Sequence, residues 1–286
     1  MLTKEDLIDI EYNLKEQEFL LNKEEIIKNL KKLLLSSIKD VKKVGIAFSG
    51  GIDSSLLALI CSKLNINFKL YSIGVEDSID IEWANRISDE IKWKLNSKIL
   101  SLKNAEKNIK KIVKILKTDD IIDICVGCIF HNVLEMAKRD KIKVILSGLG
   151  SDEIFAGYQR HKKDINECWK DLKKILERDL KRDKILAEKF NIKVLYPFLD
   201  KNLVEYSMRI NPKLKLNNDF KKVILRECSV KLGFPEKFAW RRKKAAQYGS
   251  RFDKIIEKMS KRNNFRSKNE FLKELNLKMN KRLKLI

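Results

Sequence analysis

The stretch 43-KVGIAFSGGIDSSLLALICSKL-64 decides the fold of this chain. Its first six residues are mostly apolar and are short enough for one buried strand. Gly50 and Gly51 permit a tight turn, and the apolar residues that follow recur at helical spacing. A strand, a glycine turn and a helix in this order predict the first unit of a parallel sheet.

The same alternation continues toward the C-terminus. Further strands are predicted at residues 68–73, 98–101 and 143–146, and helices at residues 105–116 and 128–138. This order favours an α/β, Rossmann-like parallel sheet, in which ligands bind at the carboxyl ends of the strands.

Three regions are expected along the chain. Residues 1–40 carry apolar positions at helical spacing and are predicted to form two N-terminal helices. Residues 41–165 contain the strand signals and form the predicted α/β core. After about residue 165 strand signals are not recognised, so residues 166–286 are predicted to be a helical layer packed on that core.

The charge leaves two interpretations open. The 286 residues include 62 basic and 40 acidic side chains, with a formal net charge of +22. That excess would attract a polyanion such as RNA, or ATP, but the charges are interspersed as on an ordinary solvated surface. The N-terminal sequence is too acidic for a signal peptide, no apolar run is long enough for a membrane span, and five cysteines do not suggest a disulfide framework. We therefore expect a cytoplasmic protein with reduced thiols.

The glycine turn has the composition of a phosphate-binding loop. Glycines expose backbone N–H groups, serine hydroxyls add donors, and the helix N-terminus supplies a positive dipole end. No lysine stands where a Walker loop carries one, so Mg²⁺ held by Asp53 would have to neutralise the phosphates. The predicted phosphate-binding residues are Ser49, Gly50, Gly51, Asp53, Ser54 and Ser55.

A second polar segment, 147-SGLGSDEIFAGY-158, follows the predicted strand at residues 143–146. Ser147 and Gly148 at a strand end can line a nucleotide pocket, and Asp152 offers a second carboxylate for the metal.

These two segments carry a family resemblance. SGGIDSS after an apolar strand resembles the PP-loop ATP pyrophosphatases, whose fold is that of the adenine nucleotide alpha hydrolases. SGLGSDEIFAGY is similar to the S-G-x-G-x-D-E-x-F-x-G-Y signature of asparagine synthetase and β-lactam synthetase. The segments 196-YPFLD-200, with Arg182 and Asp183 upstream, and 240-WRRKKAAQYGS-250 extend the likeness to about residues 24–255.

The resemblance implies an AMP-forming ligase that uses Mg²⁺ and ATP. It would adenylate a small carboxylate and transfer it to a nitrogen nucleophile. Lys243, with Lys244 as the alternative, would reach the α-phosphate. Asp123 is the third implied catalytic residue, and the acceptor would lie near Asp123, Leu149 and Lys243. The residues implied for adenine and ribose are Ala47, Ile73, Ser147 and Gly148.

Two departures bear on the substrates that the resemblance implies. Asparagine synthetases carry Glu where this chain has Leu149, and an apolar side chain cannot orient an amine or accept its proton. Residue 2 is Leu2, where complete asparagine synthetases have a catalytic cysteine, so ammonia or another amine would come from solution or from a separate glutaminase subunit. The chain looks closer to asparagine synthetase domain-containing proteins that lack the glutaminase domain.

Two alternative functions stay open. Cys125 and Cys128 form a C-x-x-C pair that could serve a tRNA-modifying or sulfur-transferring PP-loop enzyme, although their apolar setting favours core packing. A non-catalytic nucleotide-binding scaffold is the second alternative. His131 and His161, the only histidines, are expected to be structural or superficial, with His161 closer to the site.

Overall fold

A five-stranded parallel sheet forms the centre of the computed structural model, which describes residues 2–38, 41–242 and 245–281. The strands are β1 Lys43–Ala47, β2 Asn67–Val75, β3 Leu95–Leu100, β4 Val144–Leu146 and β5 Lys193–Leu195. Their order in the sheet is β3-β2-β1-β4-β5. After β1 the chain adds β2 and β3 on one side of it, and then crosses to the other side of β1 to add β4 and β5. Such a reversal opens a crevice at the carboxyl ends of β1 and β4, where ligands of doubly wound sheets bind.

Helices cover both faces of the sheet. Within the described residues, no helix has the length and the apolar character needed to cross a bilayer. The N-terminal and core helices are α1 Lys4–Leu14, α2 Lys23–Ser36, α3 Ile52–Lys63, α4 Ile79–Ile91, α5 Leu102–Leu116, α6 Ile121–Arg139, α7 Ser151–Ile154 and α8 Gln159–Lys163. The later helices are α9 Glu167–Lys174, α10 Leu180–Glu188, α11 Lys201–Met208, α12 Pro212–Lys215, α13 Val223–Lys231, α14 Glu236–Ala239, α15 Ala246–Gly249, α16 Phe252–Arg262 and α17 Lys268–Lys281. A π-helix, Ile175–Asp179, joins α9 to α10, and a 3₁₀ helix, Pro197–Leu199, precedes α11.

The hydrophobic core has two parts because the strands are apolar on both sides. Val44 and Ile46 of β1 pack in one cluster together with residues of α1, α2, α3 and α13. Tyr71 and Ile73 of β2 pack in the other, together with residues of α5, α6, α16 and α17. Near-continuous apolar strands of this kind are typical of parallel sheets covered by helices on both faces.

The predicted sheet is confirmed, with shifted element ends. The strand predicted at residues 68–73 continues through Gly74 to Val75 because β3 pairs with it as far as Val75 opposite Leu100. The helix predicted from residue 128 begins at Ile121, where the carboxylate of Asp120 accepts a hydrogen bond from the N–H of Asp123. A local cap therefore sets a helix start that the apolar spacing alone did not reveal.

The expectation that strands end before residue 165 was wrong. β5 lies at Lys193–Leu195 and pairs in parallel with β4, with Leu195 opposite Leu146. Three residues are too few to show a period of two, and their strand conformation comes from the neighbouring strand.

Candidate active site

The glycine loop between β1 and α3 lies at the crevice where the strand order reverses. Gly50 has a φ of +63°, and a Cβ there would lie 3.1 Å from the carbonyl carbon of Trp83. Both the left-handed backbone and the lack of space require glycine at this position. Gly51 caps α3 with extended backbone, so the first N–H groups of the helix follow the turn directly.

The loop serines bond mainly to one another. The N–H of Ser49 donates to Oγ of Ser54 at 3.3 Å, and Oγ of Ser54 donates to the carbonyl of Gly51 at 3.2 Å. Ser55 is fully buried, and its Oγ has no hydrogen-bond partner within the described residues. Buried hydroxyls are normally satisfied, so this one is an unused donor at the predicted phosphate-binding loop.

Arg241 fixes the loop from the far end of the chain. Its Nε donates to the carbonyl of Gly50 at 3.2 Å, and its Nη2 donates to the carbonyl of Ser49 at 3.3 Å. The guanidinium also lies over the ring of Trp83, 4.8 Å from its centroid. Because the loop carbonyls are held by Arg241, the segment that follows β1 is fixed to the segment containing residues 240–242.

The second polar segment meets the glycine loop, as expected for loops that follow adjacent parallel strands. Oγ of Ser151 donates to Oδ1 of Asp53 at 2.6 Å. A Cβ on Gly148 would lie 3.1 Å from Cβ of Asp53. The two predicted segments therefore form one site.

Two further glycines of this segment are required by close contacts. Gly150 has a φ of +97°, and a Cβ there would lie 2.5 Å from Cδ2 of Leu199 in the segment 196–200. A Cβ on Gly157 would collide with the carboxylate of Asp152. The glycines of this segment thus have a physical role in holding Asp152 and the 3₁₀ helix in place.

Lys222 is the residue of the site that sequence reasoning missed. Its Nζ lies 2.6 Å from Oδ1 of Asp53 and 2.8 Å from Oδ1 of Asp152. The side chain is only 5% exposed. Burial lowers the pKa of Lys222, but Asp152 and Asp53 outweigh it and raise that pKa above its usual value. The ammonium therefore stays charged between the two carboxylates that were predicted to bind metal.

Glu153, next to Asp152, is also buried. Burial, followed by the charge of Asp152, raises the pKa of Glu153 to about 8. The hydroxyl of Tyr158 donates to Oε1 of Glu153 at 2.9 Å. This hydrogen bond joins the middle of the second segment to its C-terminal end, next to Asp152.

The residues predicted to contact the nucleoside lie on the strands that lead to the crevice. Ala47 is the last residue of β1, and Ser147 follows β4 directly. Ile73 is buried in the core cluster on the α5 and α6 side of the sheet. Their contact with a nucleoside stays a prediction.

Asp123 lies in a different cluster of charges. Nη1 of Arg182 donates to Oδ1 of Asp123 at 3.1 Å and to Oδ1 of Asp179 at 2.7 Å, and Nε of the same arginine donates to Asp183. Burial raises the pKa of Asp123, and the charge of Arg182 opposes that shift. Within the described residues no hydrogen bond or ion pair joins Asp123 to Asp53 or Asp152, so its predicted catalytic role stays a prediction.

The remaining predicted catalytic residues, Lys243 and Lys244, lie outside the described residues. The described segments on both sides are fixed at the sheet. Arg241 holds the glycine loop, and the carbonyl of Ser250 accepts a hydrogen bond from the N–H of Val75 at 3.1 Å.

The cysteine pair and the histidines are buried. Cys125 and Cys128 lie on α6 in the core, and burial raises the pKa of both thiols. In the described ranges no group of three or more His, Cys, Asp or Glu residues is arranged to hold a metal ion. His161 lies 2.9 Å from the carboxylate of Asp171, and His131 packs edge-on against Phe190. The buried positions of the two cysteines and of His161 agree with the structural roles expected for them.

Asp53 and Asp152 fit a Mg²⁺ site that is completed by substrate. Mg²⁺ is usually held by one or two carboxylates together with phosphate oxygens and water. Nζ of Lys222 pairs with both carboxylates, so they lie close enough together to contact one cation.

The sheet with a glycine loop at its switch point places the chain in the class of PP-loop α/β proteins. The family model described as asparagine synthase matches residues 29–169 and 165–267, and the chain belongs to that family.

Two curated relatives and one solved structure are similar to this chain to different degrees. A Methanocaldococcus jannaschii protein that carries the provisional name of glutamine-hydrolysing asparagine synthetase 1 is 33% identical over 93% of this chain and 57% of its own length. Asparagine synthetase B (glutamine-hydrolysing) of Escherichia coli is 26% identical over 78% of this chain and 44% of its own length. The chain thus spans about half the length of the curated relatives it matches. An NMN synthetase structure from Francisella tularensis covers 92% of this chain and 94% of its own at 11% identity, with a TM-score of 0.44, a likeness too low to bear on function.

Proposed function

We propose that this protein is an ATP-dependent, AMP-forming ligase that adenylates a carboxylate and transfers the acyl group to ammonia or an amine. The observation that carries the proposal is the cluster of Asp53, Asp152 and Lys222, built where two glycine-containing segments meet at the switch point of the sheet. Membership of the asparagine synthase family supports the same reaction class. The ligase would extend over about residues 24–255 as one asparagine synthetase-like unit.

Binding of the ATP phosphates is assigned to the glycine loop. Three features support phosphate binding by this loop: the N-terminus of α3, the left-handed turn at Gly50 and the unpartnered hydroxyl of Ser55. Arg241 binds the carbonyls of Ser49 and Gly50, which would keep these carbonyl oxygens away from an anion in the loop. Ser147 and Gly148 would border the nucleoside at the end of β4.

Asp53 and Asp152 would hold Mg²⁺ when ATP is bound. The ion would offset the phosphate charge and so ease departure of pyrophosphate. Lys222 would add a fixed positive charge, which stabilises charge that develops on the leaving oxygen without reorganisation. Lys243 or Lys244 is proposed to act at the α-phosphate.

The reaction would have two steps. A carboxylate oxygen of the acceptor bonds to the α-phosphorus of ATP as the bond to the β-phosphate oxygen breaks, which releases pyrophosphate. The amine nitrogen then bonds to the acyl carbon, AMP leaves, and the nitrogen gives up a proton. Holding both partners in one crevice supplies much of the rate.

The apolar side chain of Leu149 argues against a reaction that joins aspartate and ammonia. It is half-buried and packs against the core, so it offers no group that could take the proton of an amine. We propose that Asp123, which was predicted only as a catalytic residue, accepts the proton instead. We also propose that the carboxylic acid and the amine differ from the pair implied by the family name.

An assay with α-labelled ATP would test the ligase. The purified protein would be incubated with Mg²⁺, ammonia and a panel of carboxylic acids that includes aspartate, and release of AMP and pyrophosphate would be followed. We expect AMP with at least one acid, and its loss in Asp53→Asn. The matched control is Asp89→Asn, since Asp89 is an exposed acid on α4. Nucleotide that binds but is never cleaved would instead support a scaffold, and cleavage that requires tRNA would support a tRNA-modifying enzyme.

A further inference from the structure

A polar cleft lies away from the glycine loop, between β3, α5 and α6. Its volume is about 200 Å³, and it is lined by side chains from these three elements. None of its lining residues belongs to the segments 49–55 or 147–158 or is Lys222. It is therefore a separate feature of the molecule.

The lining of the cleft is strongly basic. Lys98 of β3 and Lys107 and Lys111 of α5 face one carboxylate, Glu135 of α6. Lys98 and Glu135 are paired at 3.5 Å. Three lysines and one glutamate leave a formal charge of +2 on the lining, and Arg139, outside the lining, also pairs with Glu135 at 3.4 Å, so the cleft favours an anion.

Two buried polar atoms of the cleft residues have no partner. His131 is 3% exposed, and its Nδ1 has no hydrogen-bond partner within the described residues. The same is true of the buried Oδ1 of Asn108. Buried polar atoms are nearly always satisfied, so both atoms need a partner, and a polar ligand or water in the cleft can supply it.

The charge state of His131 agrees with a basic surrounding. Burial, followed by the charge of Lys111, lowers the pKa of His131 to about 4, while Glu135 opposes the shift. Lys189 and Lys98 also lower the pKa of His131, by less than Lys111 does. The imidazole is thus neutral at pH 7 and can offer one donor or one acceptor.

We propose that this cleft binds a small phosphate compound, either hydrogenphosphate itself or a phosphate monoester whose alcohol part carries a free hydroxyl. The lysines Lys98, Lys107 and Lys111 match its two negative charges. The unpartnered Oδ1 of Asn108 matches a hydroxyl donor that hydrogenphosphate or the alcohol part of a monoester carries. A nucleic-acid backbone, with one charge per phosphate and no such hydroxyl, fits less well.

The test uses His131 as a local probe. The full chain would be titrated with inorganic phosphate at about pH 8, where a phosphate group is a dianion. The imidazole C–H signals would be followed by NMR, with His131→Gln used for their assignment. We expect a saturable shift of the His131 signal, whereas the signal of His161, held by Asp171, stays in place.

Two lysine variants on the exposed face of α5 distinguish phosphate binding in the cleft from nonspecific attraction to a basic surface. Lys111→Gln removes a lysine of the cleft and should weaken phosphate binding about tenfold, the value of one charge-assisted hydrogen bond. Lys114→Gln removes an exposed lysine of the same helix that does not line the cleft and should change the affinity less than about twofold.

Competition with other anions identifies which kind of phosphate compound the cleft binds. A small phosphate monoester with a free hydroxyl in its alcohol part should compete with phosphate. Sulfate, which lacks a hydroxyl, and an oligonucleotide without a terminal phosphate should bind more weakly. Equal effects of Lys111→Gln and Lys114→Gln, or an unsaturable shift, would overturn the proposal. Asp53→Asn should leave phosphate binding at His131 intact, so failure of this proposal is distinct from failure of the proposed ligase.

Discussion

Replacing Lys222 with Met should reveal how much the charge of Lys222 contributes to the stability of the candidate site. The ammonium lies 2.6 Å from Asp53 and 2.8 Å from Asp152 and is 5% exposed, so its removal leaves two carboxylates close together. Loss of one partner of a fully buried pair costs about 3–5 kcal/mol. The carboxylate of Asp152 is 38% exposed, and water will screen part of that cost. We therefore expect a loss of about 2–3 kcal/mol in the free energy of unfolding without Mg²⁺.

Urea unfolding in EDTA and in Mg²⁺ would measure this effect. Because a cation can replace the ammonium between the carboxylates, added Mg²⁺ should stabilise Lys222→Met more than the wild type. Lys221→Met is the matched control, since the neighbouring lysine does not pair with either carboxylate in the described contacts. AMP formation by Lys222→Met should fall about 10²-fold. Equal stability of Lys222→Met and Lys221→Met, with or without Mg²⁺, would refute the reasoning.

Three further substitutions test separate parts of the account. Ser55→Ala should change the unfolding free energy by less than about 0.5 kcal/mol, because the hydroxyl has no partner, but should weaken ATP binding in calorimetry by about 1 kcal/mol; unchanged affinity would remove Ser55 from the phosphate site. Gly150→Ala should destabilise by about 2–3 kcal/mol in urea, because φ is +97° and the new Cβ meets Leu199; a neutral effect would contradict the contact. His131 is held neutral with its pKa at about 4, below the ordinary 6.5, so the folded state binds fewer protons and stability falls as the pH drops from about 6.5 to 4. His131→Gln should reduce that slope, by about 3 kcal/mol in total at most, and a pH profile parallel to that of the wild type would exclude the effect.

The sequence predicted the sheet and the glycine loop because their signals are local. An apolar run, two glycines and a helical spacing lie within residues 43–64, and β1 and α3 form there as expected. The second segment lies beside the glycine loop, as the order of the parallel strands implied, since Asp152 and Asp53 both pair with Lys222. The positions of buried Cys125 and Cys128 followed from the apolar residues around them.

Lys222 could not be predicted from a local pattern. It lies 169 residues from Asp53 and is one of two adjacent lysines before an ordinary helical sequence. Only the fold shows that Lys222 is buried while Lys221 is not. β5 was missed for a similar reason, because its strand conformation depends on pairing with β4.

Exchange of labelled pyrophosphate into ATP tests the central claim most directly. The proposed adenylation is reversible, so with Mg²⁺ and the correct carboxylic acid, but without any amine, label should appear in ATP. The exchange should require the acid and should be lost in Asp53→Asn but not in Asp89→Asn. Cleavage of ATP to ADP and phosphate, with no acid-dependent exchange, would contradict an AMP-forming ligase.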